Sequence, residues 1–486
     1  MIKEKKWVSN ITDKCLRYLK KYVSALKAEF SVSKRKRKMF FLAFVTFATC
    51  SLCFYVYRRF YCHRYFQRLG IPGPKVDNFF FGNSPALWRD DRHLVINQWV
   101  KEFGPVFGYY EGPSPVLVIA DASMAETFLS KQSSQFTGRY VTPFQVDAEA
   151  NPDDPTCSLF MARDRHWRKP RLAASGFFSR RQLRETTPIL LEMNRKLKKH
   201  ISQNGEIQNL RTVCQKFALQ YMSLTAFRVD LKLDFVVDGK GKGSNNEFGE
   251  EIFKSCDNLF KNIVNSPPKI LRIVEAMPIL ADIALLFVRM AIKWRPEGDR
   301  NCEMPQLSDS DKGLFNGASN LLGFQATLIA RKRMMAEQRQ AKRDLVQILS
   351  DVTERLENGE RRPFLSDRQI RTNLMGMLMA GYETSGTAMA MMLHLLAGHP
   401  ECQQKLFEEE LAMASDEELS DYDYLMEKMP YLDAAFKETL RLYPLAVYLV
   451  NRLGPESDQE VFGLRIPSTL KKIQIDTYSI HHSEGK

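Results

Sequence analysis

Cysteine is scarce toward the end of this 486-residue chain, because none of its nine cysteines follows Cys402. Their number is odd and their spacing matches no disulfide framework, which excludes a disulfide-stapled secreted scaffold and favours a reduced, cytosol-facing environment. The sequence also lacks internal repeats, low-complexity tracts and a flavin or dinucleotide fingerprint. The chain therefore carries no nucleotide-binding module of its own.

Acidic residues are rare at the N-terminus, where residues 1–68 contain 17 Lys and Arg but only Glu4, Asp13 and Glu29. The remaining residues, 69–486, contain 53 basic and 54 acidic side chains, so the net charge of +13 belongs to the N-terminal segment. A nucleic-acid-binding body normally has a basic footprint in its folded region. The charge distribution therefore predicts no nucleic-acid partner.

Charge is absent from residues 39–57, an apolar run of 19 positions. As a helix this run is about 28 Å long, close to the hydrocarbon thickness of a bilayer. Both flanks are basic, residues 34–38 before it and Arg58 and Arg59 after it, so the positive-inside rule does not settle the orientation. The pattern predicts a single transmembrane anchor, and the alternative is a buried core helix.

The sequence divides around this run into four parts. Residues 1–38 are a basic extension, 39–57 the anchor, 58–75 a basic and proline-rich linker, and 76–486 the body. The prolines of the linker cannot extend the helix and favour a stiff, extended exit from the membrane. Met39 opens the apolar run, so translation from Met1 and from Met39 both remain open.

The body is helical in pattern apart from two short β regions. Residues 103–120 predict a hairpin, because β-branched and aromatic runs flank a Gly/Pro-rich turn, and a second β signal lies at 461–478. Residues 179–201 and 321–358 are long, charged and amphipathic, as is typical of surface helices. The apolar stretch 263–294 fits a core helix or, alternatively, a segment at a membrane surface or an access channel. These patterns predict a mainly α fold with a small β region.

The longest predicted helix begins at a capping box formed by Ser366 and Gln369 and ends near Gly398. Between residues 374 and 396 its only charged side chain is Glu383. A second transmembrane span is the alternative, but a cluster of polar side chains is costly in lipid. We therefore expect a helix through the middle of a large soluble core.

That cluster is Ala380-Gly381-Tyr382-Glu383-Thr384-Ser385. A glycine in mid-helix lets a flat ligand approach the backbone closely. Thr384 can bond back to a carbonyl or hold a water, and Glu383 can supply protons. The alternative is a kinked core helix whose hydroxyls bond to their own backbone.

A second motif places Glu438 and Arg441 three residues apart, on one face of a helix that Pro444 ends. Such a pair is usually a surface ion pair, but the sequence LRLYP after it makes this one distinctive.

In a third motif, Trp167 and Arg171 lie four residues apart and can present an indole N–H and a guanidinium to one anion. Arg139 and Arg452 are further candidate cations. Each of these arginines taken alone is more typical of a solvated surface.

In this order and spacing the motifs resemble those of the cytochromes P-450, the haem-thiolate monooxygenases, from about residue 39 to the end. AGYETS together with FTGR, which ends at Arg139, is most similar to the animal microsomal subgroup. The resemblance implies one mainly helical domain with a small β region. It implies insertion of one oxygen atom from O2 into a small apolar substrate, such as a xenobiotic, lipid or steroid-like molecule. It also implies haem b, electrons from NADPH through a partner reductase, a role for cytochrome b5, and an endoplasmic reticulum membrane anchor with the body facing the cytosol.

The resemblance also implies roles for individual residues. Haem would be bound by Arg139, Trp167, Arg171, Ala380 and Arg452, although Arg452 lies one residue farther from Arg441 than the family pattern has it. Gly381 would make room for dioxygen, with Thr384 and Glu383 delivering protons. Met379 and Ala380 would face the substrate, and Glu438 and Arg441 would be structural.

The family's iron ligand is a cysteine thiolate in a Phe-x-x-Gly-x-Arg-x-Cys-x-Gly loop beyond the GLRIP strand. No cysteine follows Cys402, so we expect a fold that is incomplete at its C-terminus and assign no metal ligand. His481 and His482 lie where the family has a strand-end histidine unrelated to iron. Two functions remain open: a microsomal monooxygenase whose sequence continues into the loop, and a truncated, catalytically inactive membrane-anchored remnant.

Overall fold

A computed structural model describes most of the body and part of the N-terminal region. The described residues are scattered positions between 41 and 57, then 59–139 except 90, 159–204 except 161 and 163, 209–233, 247–261, 324–325, 344–411 except 356–358, and 422–483 except 446, 448 and 449. The chain divides into two compact units, one ending at Cys62 and one beginning at His63.

In the first unit, the described positions from 41 to 62 are helical. Phe41 and Tyr57 are exposed there. Much of the predicted anchor 39–57 lies outside the described residues. Within the part of the chain that is described, no helix has the length and apolarity needed to cross a membrane.

The second unit is mainly helical, as the sequence predicts. Its α-helices are α1 Tyr65–Arg68, α2 Ser84–Leu87, α3 Arg92–Phe103, α4 Ala122–Glu126, α5 Asp164–Ser175, α6 Arg180–Asn204, α7 Leu210–Met222, α8 Glu247–Phe260, α9 Leu345–Ser350, α10 Asp367–Gly398, α11 Pro400–Leu411, α12 Tyr422–Lys428, α13 Pro430–Leu442 and α14 Thr477–His481. Helix α6 confirms the amphipathic helix predicted at 179–201. The stretch 263–294 and most of 321–358 lie outside the described residues.

Eight short strands form three described sheets. The strands are β1 Val106–Glu111, β2 Ser114–Ile119, β3 Thr353–Arg355, β4 Arg361–Pro363, β5 Asn451–Leu453, β6 Gln459–Val461, β7 Leu464–Ile466 and β8 Lys472–Ile475. The largest sheet has the order β1-β2-β8-β5, and β3-β4 and β6-β7 are two-stranded. The predicted hairpin at 103–120 is confirmed by β1 and β2, which pair antiparallel with Val106 opposite Ile119.

The predicted linker is folded against this sheet. Phe66 and Ile71 are buried, and the backbone N–H of Gly108 in β1 donates to the carbonyl of Pro72. A residue with a Cβ has no room at Gly73, because that carbon would overlap the Gly108 carbonyl. The folded unit therefore begins at His63, whereas the sequence analysis places the start of the body at residue 76.

Helix α10 is the central element of the largest core. The capping box of Ser366 and Gln369 is present, and the helix ends at Gly398 as predicted. Leu374, Leu378 and Tyr382 bury their side chains in a cluster that also contains residues of α7, α8 and α9. Packing of α10 on α7 positions the polar motif of α10.

Candidate functional site

Two glycines of the α10 motif lie against α7. A Cβ on Gly386 would be 2.6 Å from the Cα of Gln215, closer than real Cβ atoms approach another atom. A Cβ on Gly381 would be 2.8 Å from the Sδ of Met222, the last residue of α7. Helix–helix contact therefore requires glycine at 386, and the side chain of Met222 occupies the notch at 381.

Glu383 is buried and is bound by α7. Its Oε1 accepts from a terminal nitrogen of Arg211 at 2.6 Å, and its Oε2 accepts from Nε2 of Gln215 at 2.5 Å. The hydroxyl of Thr387 is 3.3 Å from the same Oε1. The Arg211 side chain is 47% exposed against 5% for Glu383, so this ion pair joins a buried carboxylate to the surface.

The neighbouring side chains of α10 are less covered. Ala380 is exposed, and the hydroxyl of Thr384 donates to the Ala380 carbonyl at 2.6 Å within the same helix. A bond back to a carbonyl is one of the two alternatives that the sequence leaves open for Thr384. Met379 is partly buried and packs on the central core. The exposed Ala380 and the partly buried Thr384 therefore form a partly exposed strip beside the residues that α7 holds.

Arg139 and Arg452 come together on the sheet. The N–H of Leu453 in β5 donates to the carbonyl of Gly138 at 3.3 Å, which brings FTGR alongside β5. Burial lowers the pKa of both guanidinium groups, and the positive charge of Arg139 lowers the pKa of Arg452 further. Among the described side chains, no carboxylate pairs with either arginine. Two adjacent, half-buried cations form a site for an anion with two negative groups.

A chain of contacts links this pair of arginines to α10. The guanidinium of Arg139 lies 4.9 Å from the ring centroid of Phe160. The N–H of the preceding residue, Leu159, donates to Oδ1 of Asn373 on α10 at 2.6 Å. Asn373 lies about two turns before Ala380 on that helix.

The third predicted motif lies on α5. Trp167 and Arg171 are exposed, and Arg171 donates to the hydroxyl of Ser175 at 3.2 Å. No described contact joins these two side chains to Arg139 or Arg452. Both side chains are exposed to solvent.

Glu438 and Arg441 form the predicted same-face ion pair. The pair is bidentate, with two 2.7 Å bonds, and it lowers the pKa of Glu438. Arg441 also donates to the carbonyl of His481 at 3.1 Å, so the pair ties α13 to α14. Both side chains are about half exposed.

The residues present fit one part of a haem group. The Arg139–Arg452 pair suits the two propionates, and the strip of Ala380 and Thr384 leaves part of α10 uncovered. Two of the described cysteines, Cys214 and Cys256, lie buried in the core. Burial raises the pKa of Cys214 to about 11 and raises that of Cys256 further, so both are neutral core thiols at pH 7. Cys402 lies on α11, next to Glu401.

Sequence reasoning missed the residues of α7 that contact the motif. Arg211 and Gln215 lie four residues apart on a helix whose following positions are mostly buried, and polar side chains at that spacing were a usable signal. Met222 and Phe160 gave no signal, because their roles depend on which elements meet in space.

Comparison with known proteins establishes the family. The Cytochrome P450 family model matches residues 71–278 and 308–485. The chain belongs to the cytochrome P450 family, whose members use haem iron and receive electrons from NADPH through a reductase, and it is of the animal microsomal type. The resemblance drawn from the sequence is thereby confirmed.

Three relatives illustrate the match. Lithocholate 6-beta-hydroxylase of Mesocricetus auratus is 28% identical over 447 residues, covering 90% of this chain and 78% of that protein. Cytochrome P450 3A5 of Homo sapiens is 26% identical, covering 86% and 74%. Putative cytochrome P450 CYP13A7 of Caenorhabditis elegans is 28% identical, covering 85% and 77%. Family membership supports haem-dependent monooxygenase activity on lipophilic substrates.

Proposed function

We propose that this protein is a haem-dependent monooxygenase that inserts one atom of O2 into a small apolar molecule. Electrons come from NADPH through a separate reductase, with cytochrome b5 as a second donor. A steroid-like or other lipid substrate, or a xenobiotic, fits the hamster relative, whose name describes the hydroxylation of lithocholate. The observation that carries the proposal is the half-buried pair of Arg139 and Arg452 in a chain of this family.

In this proposal four residues hold the haem propionates. Arg139 and Arg452 form the inner pair, because burial strengthens their attraction for an anion. Trp167 and Arg171 add exposed donors from α5. Bound haem supplies oxygen binding and the redox chemistry of O–O cleavage.

In this proposal, residues of α10 contact the substrate and deliver protons. Ala380 would lie beside the haem and, with Met379, would face the substrate. The Thr384 hydroxyl would exchange its bond to the Ala380 carbonyl for a bond to a water and would relay a proton through that water. Glu383 supplies protons from the side of Arg211 and Gln215. Gly381 makes room for dioxygen once the flexible Met222 side chain moves out of the notch beside it.

Glu438 and Arg441 keep a structural role. They hold α14, which follows β8, against α13 through the carbonyl of His481. Since β8 pairs with β5, this contact also steadies the strand that carries Arg452.

A haem titration of the full chain in lipid nanodiscs tests the binding site. Replacing Arg139 or Arg452 by Gln removes one charge-assisted bond, so haem affinity should fall roughly 10- to 100-fold per residue. The matched control is Arg89→Gln, which removes an exposed arginine paired with Asp91 and should leave affinity unchanged. If Arg139→Gln and Arg452→Gln bind haem as tightly as the Arg89→Gln control, the arginine pair does not bind haem.

The carbon monoxide difference spectrum of the reduced protein tests the alternative. A thiolate-ligated haem gives the characteristic spectrum of the family and supports the monooxygenase. The alternative is a catalytically inactive membrane-anchored protein. It predicts no such spectrum in any preparation, including one made from full-length cDNA sequenced through the Lys486 codon.

We also propose an endoplasmic reticulum location, with residues 39–57 as the anchor and the body in the cytosol. This orientation places residues 1–38 in the lumen, where Asn10-Ile11-Thr12 is a glycosylation sequon. A glycosidase-sensitive band is expected on a blot with an antibody against residues 1–38. Thr12→Ala should abolish the shift, and an unshifted parent chain would reverse the orientation.

A further inference from the structure

Asn373 is an asparagine inside α10 that is only 4% exposed. Asparagine is a poor helix former, and a buried amide is unfavourable unless its hydrogen bonds are satisfied. Its Nδ2 donates to the carbonyl of Gln369, one turn earlier, at 2.8 Å, and its Oδ1 accepts from the backbone N–H of Leu159 at 2.6 Å. A flipped amide would set donor against donor and acceptor against acceptor, so only this orientation satisfies both partners. Asn373 therefore joins α10 to a residue 214 positions earlier in the chain.

The segment that Asn373 holds leads into α5. Leu159 and Phe160 lie a few residues before the start of that helix. Helix α5 carries Trp167 and Arg171, two of the candidate haem-binding residues. Among the described contacts, the bond to Asn373 is the one hydrogen bond that ties Leu159 or Phe160 to the rest of the fold. The position of this segment therefore depends on Asn373.

The ring of Phe160 supports the guanidinium of Arg139. The guanidinium carbon lies over the ring, 4.9 Å from its centroid, which is within the range of a cation–π contact. A carboxylate partner would neutralise the charge that binds an anion, whereas an aromatic ring holds a cation and leaves its net charge unchanged. Burial lowers the pKa of Arg139, so a neutral partner of this kind stabilises its charged form. The ring is therefore suited to fix a guanidinium that has to bind an anion.

We propose that Asn373 is a positioning residue for the anion site formed by Arg139 and Arg452. By holding the backbone of Leu159, Asn373 fixes the ring of Phe160. That ring in turn fixes the guanidinium of Arg139. The inference rests on the proposed function only for the identity of the anion, the haem propionates.

Two substitutions interrupt this chain of contacts at different points. Asn373→Thr keeps a hydroxyl that can bond back to a carbonyl of its own helix, but the shorter side chain does not reach Leu159. Phe160→Leu removes the ring, and Phe160→Tyr keeps it. The control for a general loss of stability is Thr187→Val, which removes a buried hydroxyl bonded within α6.

The first readout is made without haem. Phenylglyoxal modifies arginine side chains, and mass spectrometry of the full chain in nanodiscs gives the rate of modification at Arg139. Asn373→Thr and Phe160→Leu should each raise this rate about two- to fivefold, the value of one cation–π contact. Phe160→Tyr and Thr187→Val should keep the parent's rate. Hydrogen exchange of the peptide that contains Leu159 should also become faster in Asn373→Thr.

The double variant Asn373→Thr/Phe160→Leu tests whether Asn373 acts through the ring. Its rate of modification at Arg139 should equal that of Phe160→Leu alone, because the contact that Asn373 supports is already lost. Additive effects of the two substitutions would overturn the inference, since Asn373 would then act on Arg139 by another route.

Haem affinity separates this inference from the proposed function. Asn373→Thr should weaken haem binding about two- to fivefold in the parent, and it should have no effect in the Arg139→Gln background. An equal loss in both backgrounds overturns the inference, because Asn373 would then only stabilise the fold. Unchanged reactivity of Arg139 in Asn373→Thr overturns it as well. If that reactivity changes but Arg139→Gln leaves haem affinity unaltered, the positioning role stands and the proposed haem site fails.

Discussion

Two sets of residues within seven positions of α10 have opposite surroundings. Gly381, Glu383 and Gly386 are held by α7, through Met222, Arg211 and Gln215. Ala380 and Thr384 lie on a partly exposed strip, and the only described hydrogen bond of the Thr384 side chain is to its own helix. A polar or glycine-rich motif in a core helix therefore has two separate causes here: helix packing for one set, and a surface available for haem and substrate for the other.

The difference matters for how the motif is interpreted. Gly386 would be required even in a helix without a ligand, because the backbone of α7 passes too close for any Cβ. Thr384 has no such packing role, and we propose that it serves the haem and substrate site. Substitution of Gly386 should therefore change stability and substitution of Thr384 should change chemistry, whereas Glu383 contributes to both in our proposal.

The largest expected effect is on stability at the contact with α7. Gly386→Ala places a Cβ too close to backbone atoms of Gln215. Backbone atoms of a packed helix cannot move aside as the end of a flexible side chain can. We expect a loss of about 3 kcal/mol in the free energy of unfolding, from overpacking. Denaturant unfolding of the full chain in nanodiscs, followed by far-UV circular dichroism, measures it.

The control lies on the same helix. Gly376 has open space where its Cβ would be, so Gly376→Ala should raise the free energy of unfolding by about 0.5–1 kcal/mol through helix propensity. Equal effects at 376 and 386 would mean that α7 does not approach α10 as closely as described.

The next effect concerns the buried carboxylate. Arg211→Ala leaves Glu383 with Gln215 and Thr387 but without its cation. Loss of a bond to a charged group should cost about 2 kcal/mol. Arg211→Lys should recover most of it. The double variant Arg211→Ala/Glu383→Gln should be less destabilised than Arg211→Ala alone, and a purely additive double variant would contradict the pairing.

Local elements of this arrangement were predictable, and contacts between distant elements were not. The hairpin β1–β2, the capping box of α10 and the Glu438–Arg441 pair depend on residues within a few positions of one another. Glu383 and Arg211 are 172 positions apart, so no spacing rule brings them together. The proximity of Arg139 to Arg452 likewise depends on how FTGR lies beside β5. The family resemblance suggested a shared site for these arginines, and the structure adds the contact between Gly138 and Leu453.

The Asp458 carboxylate makes stability depend on pH. Asp458 accepts bonds from the backbone and hydroxyl of Ser468 and from Arg465, which lower its pKa to about 2. A lowered pKa means that its stabilising effect is complete above the ordinary value of 3.8 and is lost as the pH falls through about 2. Unfolding followed between pH 5 and pH 2 should show a smaller decline in Asp458→Asn, which no longer titrates. Identical pH profiles for the variant and the parent would contradict this role.

The smallest stability effect, and the most informative about chemistry, belongs to Thr384. Its hydroxyl bonds only within α10 among the described contacts, so Thr384→Ala should change the free energy of unfolding by less than about 0.5 kcal/mol. If the hydroxyl passes protons to bound oxygen, the variant should consume NADPH while releasing more peroxide and less product. Thr384→Ser keeps the hydroxyl and should restore coupling. If a stable Thr384→Ala variant keeps the parent's ratio of product formed to NADPH consumed, the Thr384 hydroxyl serves only to bond within α10. The two sets of α10 residues would then differ only in their packing.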